Sequence, residues 1–173
     1  MAQPQNKKIE LLQKIFDDTN TWIHFAEAKN AALIAFNIAL ITAITSSDML
    51  KAIPPLTILI IVGLIASTLC AIWSFNPINT RLDRSALKGV NANLLHFAYI
   101  ASLEPDEYLL RLYSTYWGVS NIGSDALPQI EKDYSNQIVE NARIALRKQK
   151  CFTTGLYIVI SMLLCLIALV ICA

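Results

Sequence analysis

The chain has 173 residues, is 55% hydrophobic and 16% charged, and carries a net charge of +1 with a mean hydropathy of +0.47. A charged fraction well below the usual quarter does not suit an ordinary soluble domain, and the near-zero charge offers nothing to bind nucleic acid. The apolar excess is concentrated in three blocks, which makes the fold class an all-α membrane protein. It comprises three transmembrane helices, an N-terminal hairpin plus a C-terminal span, and a small helical cytoplasmic lobe.

In chain order, residues 1–29 form a cytoplasmic amphipathic helix. In "NKKIELLQKIFDDTNTWIHFAEAKN" the apolar Ile9, Leu12, Ile15 and Phe16, then Trp22, Ile23 and Phe25, recur at helical spacing. This helix is expected to break near "DDTNT" before continuing into the membrane. Roughly thirty residues precede the first apolar block, so it is no secretory signal. Residues 30–76 form the hairpin, with spans from Asn30 to Met49 and from Leu56 to Phe75 around Pro54-Pro55. Each block is close to the ~20 residues that cross ~30 Å of hydrocarbon.

Small residues four apart line both hairpin spans: Ala31, Ala35, Ala39 and Ala43 on the first, Gly63, Ser67 and Ala71 on the second. Such stripes let helix backbones approach closely in lipid, so the two ladders are expected to face each other. Asn30 and Asn37, seven apart, share nearly one helix face and need an interhelical partner. Glu27 and Lys29 lie at the cytoplasmic interface, where both stay hydrated.

Residues 77–151 form the cytoplasmic helical segment. "SALKGVNANLLHFAYIASL" reads as a short amphipathic or loop stretch around Gly89. In "EPDEYLLRLYSTYW", Pro105 at the first helical position and Asp106 and Glu107 in the first turn start a helix. "SNIGSDALP" is a turn-rich linker. The following helix carries Ile130, Tyr134, Ile138, Ala142 and Ala145 on one side and feeds directly into a third span, residues 152–173. That span lacks a small-residue ladder; its Gly155, Ser161 and Ala168 are scattered, so it is peripheral or faces another subunit. Trp73, Phe75, Phe152 and Tyr157 suit interfacial anchoring.

Thirteen basic residues lie before the first span or between the second and third, against Lys51 alone in the short hairpin connection. The positive-inside rule then puts the N-terminus and middle segment in the cytoplasm, and Ala173 outside. Cys70, Cys151, Cys165 and Cys172 read as small apolar fillers. No phosphate-loop, dinucleotide-binding, zinc-protease or nucleophile-elbow motif is present. His24 and His96 read as packing residues, so neither an enzyme nor a metal or cofactor site is expected.

Three stretches together resemble the Pycsar effector transmembrane family of bacterial antiphage defence. "WIHFAEAKNAALIAFNIALI" is similar to that family's approach to its first span, an A-[DE]-x-K followed by small and apolar residues and an Asn. "NLLHFAYIASLEPDEYLLRL" is similar to a Leu-Leu-aromatic-Phe stretch leading to a Pro-acid-acid-Tyr helix start. "NQIVENARIALRKQKCF" resembles the run into its last span. By position the likeness carries over to Glu27, Lys29, Asn37, Phe97, Ile100, Pro105, Tyr108, Gln137, Asn141 and Arg143. Ala98-Tyr99 departs from the family pattern, where a Gly or small residue and then a polar one are expected.

The resemblance implies a homo-oligomeric effector in the bacterial inner membrane, coupled to a nucleotide cyclase. A cyclic pyrimidine nucleotide made during infection would trigger it to impair the membrane and stop the infected cell. The sensor is either the cytoplasmic segment or another protein. A phosphate-bearing ligand would need basic partners, for which Arg81, Arg84, Arg143, Arg147 and Lys148 are candidates; the competing reading makes them anchors on lipid headgroups. The alternative function is a non-conducting anchor or scaffold that recruits a soluble partner through the cytoplasmic segment.

Overall fold

A computed structural model describes residues 3–47, 54–76, 92–120 and 122–172. Lys51, Arg81, Arg84, Lys88 and Gly89 lie outside the described residues. The elements are α1 (Gln3–Thr45), α2 (Pro54–Trp73), α3 (Phe97–Ile100), α4 (Pro105–Trp117), a 3₁₀ turn (Ser124–Ala126) and α5 (Gln129–Cys172). Among the described residues there is no strand. Three helices are long and apolar enough to cross a membrane, so the chain is a multi-pass membrane protein.

Helix α1 does not break at "DDTNT". The Thr19 hydroxyl donates to the Phe16 carbonyl at 2.8 Å and Thr21 to that of Asp17 at 2.9 Å. These side chains bond back to their own helix instead of offering the backbone an alternative turn. Helix α5 runs unbroken into the third span, as its apolar pattern predicts.

The chain divides into two compact units, Met1–Phe25 with Asn79–Leu146 and Ala26–Ile78 with Arg147–Ala173. The first is a helical lobe whose core joins Leu12 and Ile15 of α1 to Ile100, Leu109 and Leu112, and to Ile138, Val139 and Ala142 of α5. Helix α4 starts at Pro105, which has no N–H to leave unpaired. It ends at Gly118, whose φ of 67° suits a residue without a Cβ. The N–H groups of Gly118 and Val119 both close onto the Tyr113 carbonyl. On α5, Ile138, Ala142 and Ala145 are buried as expected, but Ile130 is half exposed and Tyr134 only partly covered. Glu131 and Ser135 occupy the inner face in their place, each with a hydrogen bond: Tyr113 Oη donates to Glu131 Oε2 at 2.6 Å, and Ser135 Oγ to the Pro105 carbonyl at 2.6 Å.

The second unit is the three spans. Its buried set includes Leu33, Ile44, Ile60, Leu64, Ala71 and Val159, while Phe36, Ile38, Ile58, Leu59, Val62, Ile65, Leu164 and Ile167 are exposed. Such an apolar exterior fits hydrocarbon, in which helices satisfy their own backbone groups.

In the lobe, Tyr113 supplies the hydrogen bond to Oε2 of the fully buried Glu131 carboxyl group, whose Oε1 has no hydrogen-bond partner among the described residues. Replacing Tyr113 by Phe is expected to cost about 1–3 kcal/mol, and adding Glu131→Leu to restore much of it, as chemical denaturation of the detergent-solubilised protein would read. Burial, reinforced by the Glu131 carboxylate, raises the Tyr113 phenol above its ordinary range. Its contribution is therefore complete below the ordinary phenol pKa of about 10 and fades as pH climbs toward the folded value. Alkaline unfolding should begin sooner in wild type than in the double variant.

Candidate functional site: a polar seam in the membrane unit

Asn37 sits fully buried on the inner face of the first span. Its amide donates to Ser67 Oγ at 2.9 Å and to Thr68 Oγ1 at 3.2 Å, both on α2. Ser67 Oγ in turn donates to the Gly155 carbonyl of α5 at 2.9 Å, and Thr68 back to the Leu64 carbonyl at 2.9 Å. One amide thus links all three spans through hydroxyls that accept on one side and donate on the other. The partner of Asn37 lies on the second span of the same chain.

The third span is not peripheral to this unit. A Cβ at Gly155 would lie 2.9 Å from Leu33 Cδ2 and 3.3 Å from the Ser67 carbonyl, and one at Gly63 would collide with Met162. The two glycines are contact points of α5 with the hairpin, and Gly155 is what allows Ser67 to reach the α5 backbone.

The alanine ladder does not face the second span: Ala31, Ala35, Ala39 and Ala43 are all exposed on the single chain. The inward stripe is Ala26, Asn30, Leu33, Asn37 and Ile44, spaced four, three, four and seven. That heptad spacing keeps one seam facing its neighbours, whereas an every-fourth ladder drifts around the helix. Burying both asparagines forces the helix to present this stripe, which turns the alanines outward. On α2 the inward stripe includes Ser67 and Ala71 as expected, joined by Thr57, Ile60 and Leu64.

Toward the cytoplasmic end by charge, Asn30 donates to the carbonyls of Ala26 at 2.9 Å and Lys148 at 3.1 Å. Lys148 is 8% exposed; its Nζ donates to the Ser74 carbonyl at 3.0 Å, pairs with Glu27 at 3.0 Å and lies 5.2 Å from the Phe75 ring centre. Arg147 Nη2 donates to the carbonyls of Trp73 at 3.1 Å and Asn76 at 2.5 Å. Helix α2 ends at Trp73, so both cations meet carbonyls at and just past a helix C-terminus, where orphaned acceptors and the dipole favour positive charge. Lys29 Nζ lies 5.5 Å from the Phe152 ring centre.

In the lobe, Arg143 is spread over the carbonyls of Ala101 and Leu103 and the carboxylates of Glu104 and Glu140. The described basic candidates are therefore held by backbone and carboxylate partners; Arg81 and Arg84 lie outside the described residues. Phe97 packs on Trp22 and His96, Ile100 is buried, Tyr108 Oη donates to the Leu94 carbonyl at 3.0 Å, and Asn141 donates to Asn20 at 2.9 Å; Gln137 is exposed.

Thr68, Gly155 and Ser74 escape sequence reasoning. A hydroxyl beside Ser67 and a lone glycine in a heptad register with Val159 and Met162 are the only signals for the first two. Among the described residues, three buried seam atoms have no hydrogen-bond partner: Asn30 Oδ1, Asn37 Oδ1 and Ser74 Oγ. No group of three His, Cys, Asp or Glu is placed to hold a metal among the described residues. Cys70, Cys151 and Cys165 are free thiols.

A family model described as the Pycsar effector protein domain matches residues 11–173, and the chain belongs to that family. No curated protein and no solved structure matches it.

Replacing Asn37 by Leu should leave membrane insertion intact and loosen the three-span packing by about 0.6–1.7 kcal/mol, the range of membrane hydrogen bonds. Gly155→Leu should do more damage, since the new side chain meets Leu33 and the α2 backbone. Thermal unfolding in detergent, with flotation as the insertion control, separates the two effects.

Proposed function

We propose, from the premise that the chain is a Pycsar effector acting in antiphage defence, that it resides in the bacterial inner membrane and impairs that membrane when triggered by a cyclic pyrimidine nucleotide. The observation that carries this reading is the family match across residues 11–173 of a chain with three membrane spans. The N-terminus and lobe face the cytoplasm, where a cyclase would release its product, and the C-terminus faces outward. The basic-residue asymmetry, thirteen against Lys51, supports that orientation. The protein acts without enzymatic chemistry of its own and without a cofactor.

The active form is a homo-oligomer. The exposed ladder Ala31, Ala35, Ala39 and Ala43 supports this, since small residues on a lipid-facing stripe permit close approach of a second copy. Activation parts the spans. The unpartnered Asn30 Oδ1 and Asn37 Oδ1 then accept from water, and the polar seam becomes the wall of a hydrated path.

Reconstitution in dye-filled liposomes tests the idea: cyclic CMP or cyclic UMP should release dye, and Asn37→Leu should alter the response while insertion persists. No release with any nucleotide, from protein that still halts phage in cells, would rule out direct gating. A non-conducting anchor would instead leave the membrane potential unchanged during infection and bring down a soluble partner. For orientation, an impermeant thiol reagent should reach a Ser47→Cys variant, in a background lacking the native cysteines, from outside only.

A further inference from the structure

The seam cations and Arg143 are tied to carbonyls and carboxylates, whereas Arg111 on α4 is only partly engaged. Its Nε and Nη2 both donate to Glu107 Oε1, at 3.2 and 2.9 Å, and its Nη1 donates to Tyr99 Oη at 2.6 Å. A guanidinium has five N–H donors, so two have no partner among the described residues. Arg111 and Tyr99 line a polar cavity of about 490 Å³ in the lobe, together with Asn93, Ser114, Thr115 and Tyr116.

The lining fits one chemical class. An open pair of guanidinium donors matches two oxygens of a phosphate. Tyr99 and Tyr116, the latter 46% exposed, present phenol rings that a planar base can stack on. Asn93 Oδ1 already accepts from the Leu95 N–H at 2.9 Å, which leaves its NH₂ to donate to a ring carbonyl or ring nitrogen. Ser114 Oγ donates to the Arg111 carbonyl at 3.0 Å and keeps its lone pairs for a sugar hydroxyl or an exocyclic amine. The volume lies within the range of small-molecule sites.

We propose that this cavity is a nucleoside monophosphate site, with Arg111 on the phosphate and Tyr99 and Tyr116 on the base, and that the chain itself is the sensor. The ligand being a cyclic pyrimidine nucleotide rests on the functional reading above; the site does not. Glu107 is the competitor: its carboxylate holds the Arg111 fork when the cavity is empty and opposes an incoming anion. This makes a prediction in the direction opposite to simple loss.

The full chain in lipid nanodiscs, titrated calorimetrically with cyclic CMP and cyclic UMP, provides the test. Wild type should bind one of them, Arg111→Gln and Tyr116→Ala should each weaken binding about tenfold, and Glu107→Gln should tighten it several-fold. Tyr116 and Glu107 are surface positions whose replacement leaves the lobe core untouched, so they decide the matter even if Arg111→Gln fails to fold. Binding by wild type with unchanged affinity in the Tyr116 and Glu107 variants overturns the site and leaves the trigger intact. No binding of either nucleotide by wild type, in protein that still stops phage, overturns direct sensing and assigns it to another protein.

Discussion

Hydrocarbon offers no hydrogen-bonding partner, so a polar side chain inside the membrane unit that does not bond back to its own helix dictates where its neighbours must be. Asn37 is where that constraint is sharpest. Its amide reaches α2 through Ser67 and Thr68, and Ser67 reaches α5 through the Gly155 carbonyl. Once Asn37 points inward, heptad spacing brings Asn30, Leu33 and Ile44 with it, and the alanines must face out. The third span is then fixed by two glycine contacts, Gly155 against Leu33 and Ser67, and Gly63 against Met162. Apolar packing fills the rest of this frame without choosing it, because lipid tails are as apolar as leucine.

The charged end of the membrane unit follows from the end of one helix. Carbonyls at and beyond the α2 terminus keep lone pairs that no continuing helix fills, the Trp73 carbonyl accepting only the Asn76 N–H at 3.2 Å, and Arg147 and Lys148 donate to them from α5. Glu27 then balances Lys148, which would otherwise be a poorly hydrated cation. Basic residues beside a span therefore do more than orient it.

What the sequence made legible follows the range of the interactions involved. The three spans depend on summed local hydropathy, and α4 on local start and stop signals at Pro105 and Gly118; both could be read from consecutive residues. The uninterrupted course of α1 could not, because Thr19 and Thr21 bond back to carbonyls, a choice that composition leaves open. The face of the first span is ambiguous in the sequence because two regular stripes coexist on it, and only the distant Ser67 decides between them. Gly155 looked incidental for the same reason: its meaning lies in Leu33 and Ser67, more than eighty residues away. Glu131 was hidden because an acidic residue near a helix start already has a sufficient local explanation, while Tyr113 supplies its partner from another helix.

Partly satisfied polar groups mean different things on the two sides of the interface. At the lobe surface, the Arg111 side chain is half exposed, so its open donors can be hydrated and cost little. Inside the membrane unit, Asn30 Oδ1 and Asn37 Oδ1 are buried with no hydrogen-bond partner among the described residues. An unpaired buried acceptor costs about 1–3 kcal/mol, and any arrangement that brings water or another donor to it recovers that amount. The packed state therefore holds these two atoms against a standing penalty, offset by the apolar packing of the same unit, in which Leu33, Leu64 and Val159 are buried. Separating the three spans then costs only the difference between that packing and the penalty, which is smaller than the packing alone. Two asparagines that look like weaknesses in the span thus lower the free energy needed to part it from its neighbours.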